Sequence, residues 1–516
     1  MASTEAPPRY ATEFDDTFDV VVVGYGFAGA AAALSAHEHG ARVLLIEKMP
    51  DPGGISIVSG GGVRLTRDPA AARQYLKATN NGRTPDALID AFTDGIFHLE
   101  AYLRDLGRIN NASFRMTDRP GNYPYPGYDS FTFMDVDAIP GFDPTTAYPH
   151  VKGLRNGPFM FKLLDDNIRE RGIEVRCDTR ALRLITGANG DVRGLWTEGP
   201  DRRRKIAARC AVILACGGFE ASTSMQRQFW QFEPVFNAAF RGNTGDGIRM
   251  ATDVGAELWH MWHFHGSYGF KPPGPEYPFA IRMKRLPDWT PHVREADVVM
   301  SWILLDRTGR RFTNEYEPYS QDTGHRVLDA IDPVTMRQRY IPCFAVVDDD
   351  GRKLYPLGSP VSNDRAVVPY VWSADNRKEV ANGMLKQANS LSDLAAILGC
   401  DEARLEETLA EWNHACDTGH DTAFHRPGPT MHRIAKAPFL VGEIWPVVSN
   451  TQGGPVRNAR QQVLTPFGEP IPRLYEAGEL GSIWGYLYLS GGNLSECFVT
   501  GRIAGSEAAG LAAWCL

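Results

Sequence analysis

Nowhere does the chain stay apolar for the roughly 20 residues a membrane-crossing helix needs, so no spanning helix is expected. Its eight cysteines form no C-x-x-C or C-x-x-C-H, which leaves a zinc site, a disulfide framework and a c-type haem without support. Cys210, Cys216 and Cys343 sit in apolar runs and read as small hydrophobes. Basic residues are outnumbered by acidic ones, and the net charge of −8 argues against a nucleic-acid partner. The only basic run, Arg202-Arg203-Arg204-Lys205, follows Gly199-Pro200 and reads as a solvated turn. The opening MASTEAPPRY lacks the basic-then-apolar pattern of a secretory signal, so the expected location is cytoplasmic. Repeats, low-complexity tracts and coiled-coil heptads are missing too. What remains is ordinary globular composition, 43% hydrophobic and 22% charged, over 516 residues. That exceeds the size at which one core keeps growing, so two or more domains are expected.

The chain is rich where a cofactor fold needs it to be. Val20 to Val23 form an apolar strand, and Gly24, Gly26 and Gly29 follow at the spacing G-x-G-x-x-G. An Ala-rich helix and a second apolar strand lead to Glu47, 23 residues beyond Gly24. Gly24 makes the tight turn, Gly26 lets backbone approach a pyrophosphate, and Gly29 lets helix and strand pack closely. The N–H groups at the helix start, from Phe27 and Ala28, would face phosphate, and Glu47 would accept from a ribose diol with Lys48 beside it. Such a unit predicts a bound dinucleotide.

Which dinucleotide follows from the surroundings. No second glycine fingerprint follows a later strand, as a separate NAD domain would require. Instead Gly53-Gly54 and Ser59-Gly60-Gly61-Gly62 come soon after Glu47, and Ala477-Gly478-Glu479 and Ser490-Gly491-Gly492-Asn493-Leu494 come near the far end. Two distant segments converging on one extended ligand suit FAD. Ala181 would lie near an adenine, Ala215 and Gly217 close the strand end that begins at Ala211, and Asp246 would accept from a ribityl hydroxyl. Asp246 and Glu479 also have simpler readings, as a helix N-cap and a turn carboxylate.

Helical spacing covers Asp86 to Leu106 and Phe159 to Ile168, and Ala211 to Ala215 reads as a buried strand. From about 265 proline and aromatics rise through Lys271-Pro272-Pro273 to Trp289, and the strand–helix rhythm stops. The expected fold class is α/β: a Rossmann-like FAD-binding domain, 1–268 and 437–516, with an inserted α+β capping and catalytic domain over 269–436.

These pieces together resemble the flavoprotein group of soluble fumarate reductases and 3-ketosteroid dehydrogenases, over nearly the whole length. The specific matches are the N-terminal fingerprint, Gly309-Arg310-Arg311-Phe312-Thr313-Asn314-Glu315, and the ending from Asn450-Thr451-Gln452-Gly453-Gly454 to Gly501-Arg502-Ile503-Ala504-Gly505. The resemblance implies a substrate held between cap and flavin, with hydride exchange at the flavin N5. Fumarate reductases carry H-G-x-N-R-x-G-G-N near the end, where His and Arg grip a dicarboxylate. Here Gly485 and Leu489 occupy those places. A doubly ionised substrate would lose paired charge there, so an uncharged or singly charged hydrophobic ketone is expected instead.

The segment Tyr488-Leu489-Ser490-Gly491-Gly492 is similar to the ketone wall of 3-ketosteroid Δ4-(5α)-dehydrogenases. Asn314-Glu315-Tyr316-Glu317-Pro318-Tyr319 is similar to the N-E-x-x-P-Y of ketosteroid dehydrogenases, whose tyrosine is catalytic. By that resemblance Tyr319 is the leading base for an α-proton. The Tyr488 phenol and the Gly492 N–H would polarise the ketone, and Ser490 and Tyr486 are candidate relay members. An external electron acceptor completes the reaction. If 484–489 is a strand, Trp484, Tyr486 and Tyr488 share a face, so both tyrosines face the flavin or neither does unless a bulge intervenes. The histidines of Trp259-His260-Met261-Trp262-His263-Phe264-His265 lack an acid or cysteine at ligand spacing and read as a hinge or pocket wall. The rival is an ene-reductase of the same architecture, with Arg352 as proton donor.

Overall fold

The computed structural model describes residues 7–11, 13–153, 156–287, 299–316 and 319–515. Trp289, Glu317 and Pro318, used in the sequence argument, lie outside the described residues.

Val20, Val21 and Val22 are fully buried because their strand, Asp16–Val23, is covered on both faces. It pairs in parallel with Val43–Ile46 on one side and Arg203–Leu214 on the other. Glu174–Arg176 and Pro470–Glu476 extend the parallel order outwards, and Gln462–Leu464 closes one edge antiparallel. The hairpin Arg180–Thr186 and Val192–Glu198 joins the N-terminal half of Arg203–Leu214. The buried strand expected over 211–215 is the end of a longer one, Arg203–Leu214, of twelve residues. The helices Asp86–Leu106 and Gly157–Glu170 match their spacing closely.

The Ala-rich helix Phe27–Glu38 is buried along almost its whole length, which its small side chains permit. It packs against Gly492–Ala509, the last helix. A Cβ on Gly501 would stand 2.6 Å from the Ala28 carbonyl oxygen, and one on Gly505 would stand 2.4 Å from that of Ala32. Backbone contact between these two helices therefore brings both ends of the chain to the same strand ends.

A second eight-stranded sheet is organised around one long strand, Phe439–Val448. Its first half pairs antiparallel with Cys343–Val347 and Leu385–Ala388, and its second half with Tyr268–Phe270 and, in parallel, Phe236–Asn237. The sequence returned the chain to the dinucleotide domain at 437, yet residues 439–448 run through the middle of this other sheet. An apolar run such as FLVGEIWPVV suits either sheet, and only its pairing partners distinguish them.

The segment Gly309–Glu315 ties the second sheet together. Arg311 pairs with Glu315 at 2.9 Å and Asp421 at 3.1 Å, and Glu315 accepts the Leu304 N–H at 3.0 Å. A smaller antiparallel sheet, Val63–Thr66, Phe131–Ala138 and Ser113–Asp118, flanks the space between the two large ones. Among the described residues no helix is long and apolar enough to cross a membrane.

Candidate active site

Two connected cavities lie at the C-terminal ends of the first sheet's parallel strands, where doubly wound folds bind ligands. They share Ile55, Ser56, Glu479 and Cys497, so one elongated ligand could thread both.

The first cavity is a backbone cradle. Gly24 holds φ +105°, and a Cβ there would stand 2.4 Å from the Ala215 carbonyl oxygen. A Cβ on Gly29 would stand 1.8 Å from the Gly24 carbonyl oxygen, so this position accepts only hydrogen. Gly26 begins the helix Phe27–Glu38 without any side-chain cap, leaving the first-turn N–H groups to the cavity that Gly26, Phe27 and Ala28 line. Glu47 braces the turn from two sides, accepting from the backbone N–H of Tyr25 and of Met49, each at 2.9 Å. Burial pushes its carboxyl up, and those N–H groups pull it back.

Lys48 pairs with Asp246 at 3.0 Å and Arg180 with Asp246 at 2.9 Å, beside Ala181 at the cavity's outer end. Gly54, Ala215, Gly217 and Glu479 complete the wall. Ser59, Gly60, Asn493 and Leu494 face the second cavity. Gly53, Gly61 and Gly492 act from beneath: a Cβ on each would strike Ile57, the Asn156 backbone and the Trp484 ring respectively.

The donor set fits a flavin dinucleotide. Buried polar atoms Asn243 Nδ2, Ser449 Oγ and Asn450 Nδ2 lack protein partners, and each belongs to a residue on a cavity wall. Glu479 meets Glu220 as a buried carboxyl pair. Burial first, and Glu220 second, drive Glu479 well above the usual carboxylate range, so it can donate a hydrogen bond as well as accept the Thr451 N–H at 3.0 Å.

The second cavity, about 690 Å³, gathers Tyr319, Tyr488 and Ser490, which the sequence singled out. Tyr319, just ahead of the short helix Ser320–Thr323, places its hydroxyl 3.2 Å from His265 Nε2 and 3.3 Å from Gln321 Oε1. His265 Nδ1 lies 3.1 Å from Asn450 Oδ1. Donating there, the ring leaves Nε2 to accept from Tyr319. Burial and the nearby Arg282 charge push His265 down to about 3, so the imidazole is neutral at ordinary pH.

Tyr488 lies against the His265 ring, centroids 4.4 Å apart. Its oxygen accepts from the backbone N–H of Asn493 at 3.4 Å and from that of Gly491, leaving its own O–H to donate into the cavity. Burial raises its phenol far above the ordinary tyrosine range, which keeps it a donor.

Asp322 sets this arrangement from below. It accepts from the Tyr488 N–H at 2.8 Å, bonds His263 at 3.1 Å and accepts from the Tyr123 hydroxyl at 2.5 Å. Arg326 and its other neighbours hold its carboxyl below the usual range despite its burial. Ser490 is held by three contacts, to Asn122, Arg64 and Arg285.

Three expected roles change in the structure. Residues 484–489 form no strand, so the period-two argument does not apply. Tyr486 accordingly separates from Tyr488: it stacks on Arg83 and Arg326 and does not line the cavity. The Gly492 N–H is already committed to the Leu489 carbonyl at 2.7 Å and is not available to a ketone. Arg352 is buried against Asp349 at 2.6 Å, in the turn Gly351–Lys353, and lines neither cavity.

Sequence reasoning missed His265 as a partner of Tyr319, although it marked the His260–His265 run as a pocket wall. It also missed the cations of the same cavity lining, Arg282, Lys284 and Arg285. Alternation in Ile281–Met283 gave the one local signal: Ile281 and Met283 enter the second sheet's core while Arg282 points the other way.

The family model for the FAD binding domain matches residues 19–494. A fumarate reductase (cytochrome) of Shewanella frigidimarina is 28% identical over 511 residues, spanning 98% of this chain and 79% of the relative. A 3-oxosteroid 1-dehydrogenase of Mycolicibacterium smegmatis is 26% identical over 596 residues, spanning 96% of this chain and 98% of its own length. Among solved structures, 3-ketosteroid delta1-dehydrogenase from Sterolibacterium denitrificans, in complex with 1,4-androstadiene-3,17-dione, superposes with a TM-score of 0.77. It covers 96% of this chain and 99% of that one at 22% identity, a likeness of fold.

Proposed function

We propose a reaction for a chain that belongs to the FAD binding domain family and is an FAD-dependent oxidoreductase of the fumarate reductase and steroid dehydrogenase kind: desaturation of the C–C bond beside a ketone. When bound, FAD supplies an acceptor for the two electrons that leave with hydride. The chain's own residues supply the rest. Tyr488 donates to the ketone oxygen and stabilises the charge that develops there, a contribution worth about 3 kcal/mol for one well-placed donor. Tyr319 takes the α-proton, and neutral His265 stands ready to receive the phenol's own proton at Nε2. Burial of both phenols keeps water from the enolate.

The observation that carries this reading is the Tyr319–His265 contact of 3.2 Å facing Tyr488 within one cavity. We assign the second sheet to a cap over that cavity, and the electrons to an external cytoplasmic acceptor. The expected substrates are cyclic ketones, 3-ketosteroids among them. Anaerobic mixing with a panel of saturated and unsaturated cyclic ketones tests it. Saturated members should bleach the flavin and emerge as enones; bleaching by none of them would sink the assignment.

A second reading is favoured by the cationic wall. Arg282 and Arg285 line the cavity in which a reductase would protonate an activated C=C, and Arg352 does not. If dithionite-reduced protein is reoxidised by unsaturated acids or enones while no saturated ketone bleaches it, the reductase reading prevails.

A further inference from the structure

Arg282 is 7% exposed, and its guanidinium makes no hydrogen bond or ion pair among the described residues. Its strand, Ile281–Met283, pairs with Gly269 and Ser359, so the backbone fixes the side chain's direction. The guanidinium reaches the electrostatic neighbourhood of Tyr319 and Tyr488, and it lines the reaction cavity. An unpaired buried cation is costly, and folded proteins answer that cost with a counter-charge. None is supplied here.

The acids on the same cavity are engaged elsewhere. Asp135 pairs with Arg115 at 2.9 Å and accepts from Asn156. Asp118 faces Arg67 at 3.3 Å on the exposed side. Glu479 is tied to Thr451 and Glu220. Arg285, three residues beyond Arg282, reaches across to Ser490 Oγ at 3.2 Å, which brings a second guanidinium to the same wall. Arg282, Lys284 and Arg285 thus bring three cationic side chains from one short stretch to the cavity lining, and Gly485 and Leu489 lie off it.

We propose that the substrate carries one carboxylate, seated on Arg282 and Arg285, so that the ketone handled by Tyr319 and Tyr488 belongs to a keto acid. This rests on the ketone-desaturation reading and narrows its substrate class. Arg282 then selects substrate as well as completing the electrostatics of the cavity. A monocarboxylate supplies the single counter-charge that Arg282 lacks among the described residues.

The test uses FAD-loaded protein and two probes of one shape, 4-oxocyclohexane-1-carboxylate and its methyl ester. Binding to the oxidised protein is read from the perturbation of the flavin spectrum and by calorimetry, with no turnover required. Wild type should hold the acid roughly 10–100-fold more tightly than the ester, the scale of a charge-assisted pair. Arg282→Gln should bring the acid to the level of the ester, and Arg282→Lys should restore part of the difference. Equal affinity of wild type for acid and ester overturns the proposal, as does an equal loss for both probes in Arg282→Gln. The wild-type comparison stands even if a variant loses flavin or melts early. Tight, charge-dependent binding without flavin bleaching by any ketone would leave the anion site intact and defeat the desaturation reading instead.

Discussion

The two cavities are built on opposite principles. The dinucleotide cradle is made of backbone: glycines at contact distance, an uncapped helix start, and a carboxylate that accepts from Tyr25 and Met49. The reaction chamber is made of side chains brought from five remote stretches, around residues 265, 282, 319, 450 and 488. Backbone cradles tolerate no added atom, because the obstructing neighbour cannot rotate away. Chambers of side chains tolerate conservative changes in shape but lose chemistry when one polar atom is removed.

That difference is sharpest at Gly29. Overpacking in a core costs about 1–3 kcal/mol even where side chains can shift, and here the obstruction is the Gly24 carbonyl. Gly29→Ala should therefore yield protein without yellow colour, or little folded protein at all. Purification of a fully flavinated Gly29→Ala variant would show that the cradle is more yielding than its geometry indicates. In the chamber, Tyr319→Phe removes one oxygen and leaves the ring. Binding of a ketone should survive while flavin reduction slows by roughly 10²-fold, the range for a lost acid–base group. Tyr488→Phe should weaken binding and reduction together, since in the proposed reaction its hydroxyl holds the ketone oxygen in both the bound and the reacting state. Stopped-flow traces at saturating and subsaturating ketone separate the two patterns.

The same contrast explains what the sequence revealed. A fingerprint is legible because Gly24, Gly26, Gly29 and Glu47 act through backbone geometry within one strand–helix–strand unit. Tyr319 and Tyr488 were reachable only through resemblance to a family, since nothing local distinguishes a catalytic tyrosine from a packed one. Asp322 carries no local pattern, Asn450 only its place in a family match, and Arg282 only the alternation of a three-residue strand; what they face arises from elements that meet only in three dimensions. Tyr486 misled because alternation was read where the chain bends: residues 484–491 turn over Asp322 and Arg326 instead of pairing. The boundary near 437 misled for a related reason, since an apolar strand does not declare its sheet.

Protonation offers a subtler probe of the chamber. His265 is held down to about 3, and His260, outside the chamber, to about 4 by burial. Each is neutral when folded but would take a proton near pH 6.5 when unfolded. Their contribution to stability is therefore complete above pH 6.5 and is lost as pH falls toward those lower values. The buried Glu479 and Glu476, raised by burial, carry the opposite sign and lose stability as pH rises through the carboxylate range. His265→Gln should flatten part of the decline in urea midpoint between pH 6.5 and 5, with the shares of His260 and of His325, also pushed down by burial, remaining. An unchanged slope would mean that the His265 ring is wetter than its burial indicates. The rate of flavin reduction should show no inflection near pH 6.5 arising from this imidazole.

The smallest effect belongs to Arg352, and it separates the two readings of the chemistry. Its guanidinium is engaged by Asp349 at 2.6 Å and by the Asp375 carbonyl at 3.3 Å, within the turn Gly351–Lys353 that follows a strand of the second sheet. None of these contacts reaches the cavity. Arg352→Ala should cost about 1 kcal/mol of stability through the lost contacts, and leave flavin reduction within about twofold of wild type. A proton donor removed from a reductase would instead cost roughly 10²-fold or more. Collapse of activity in Arg352→Ala, with normal flavin content and a normal melt, would require Arg352 to reach the cavity through a rearrangement of that turn, and would return the proton chemistry from Tyr319 to an arginine.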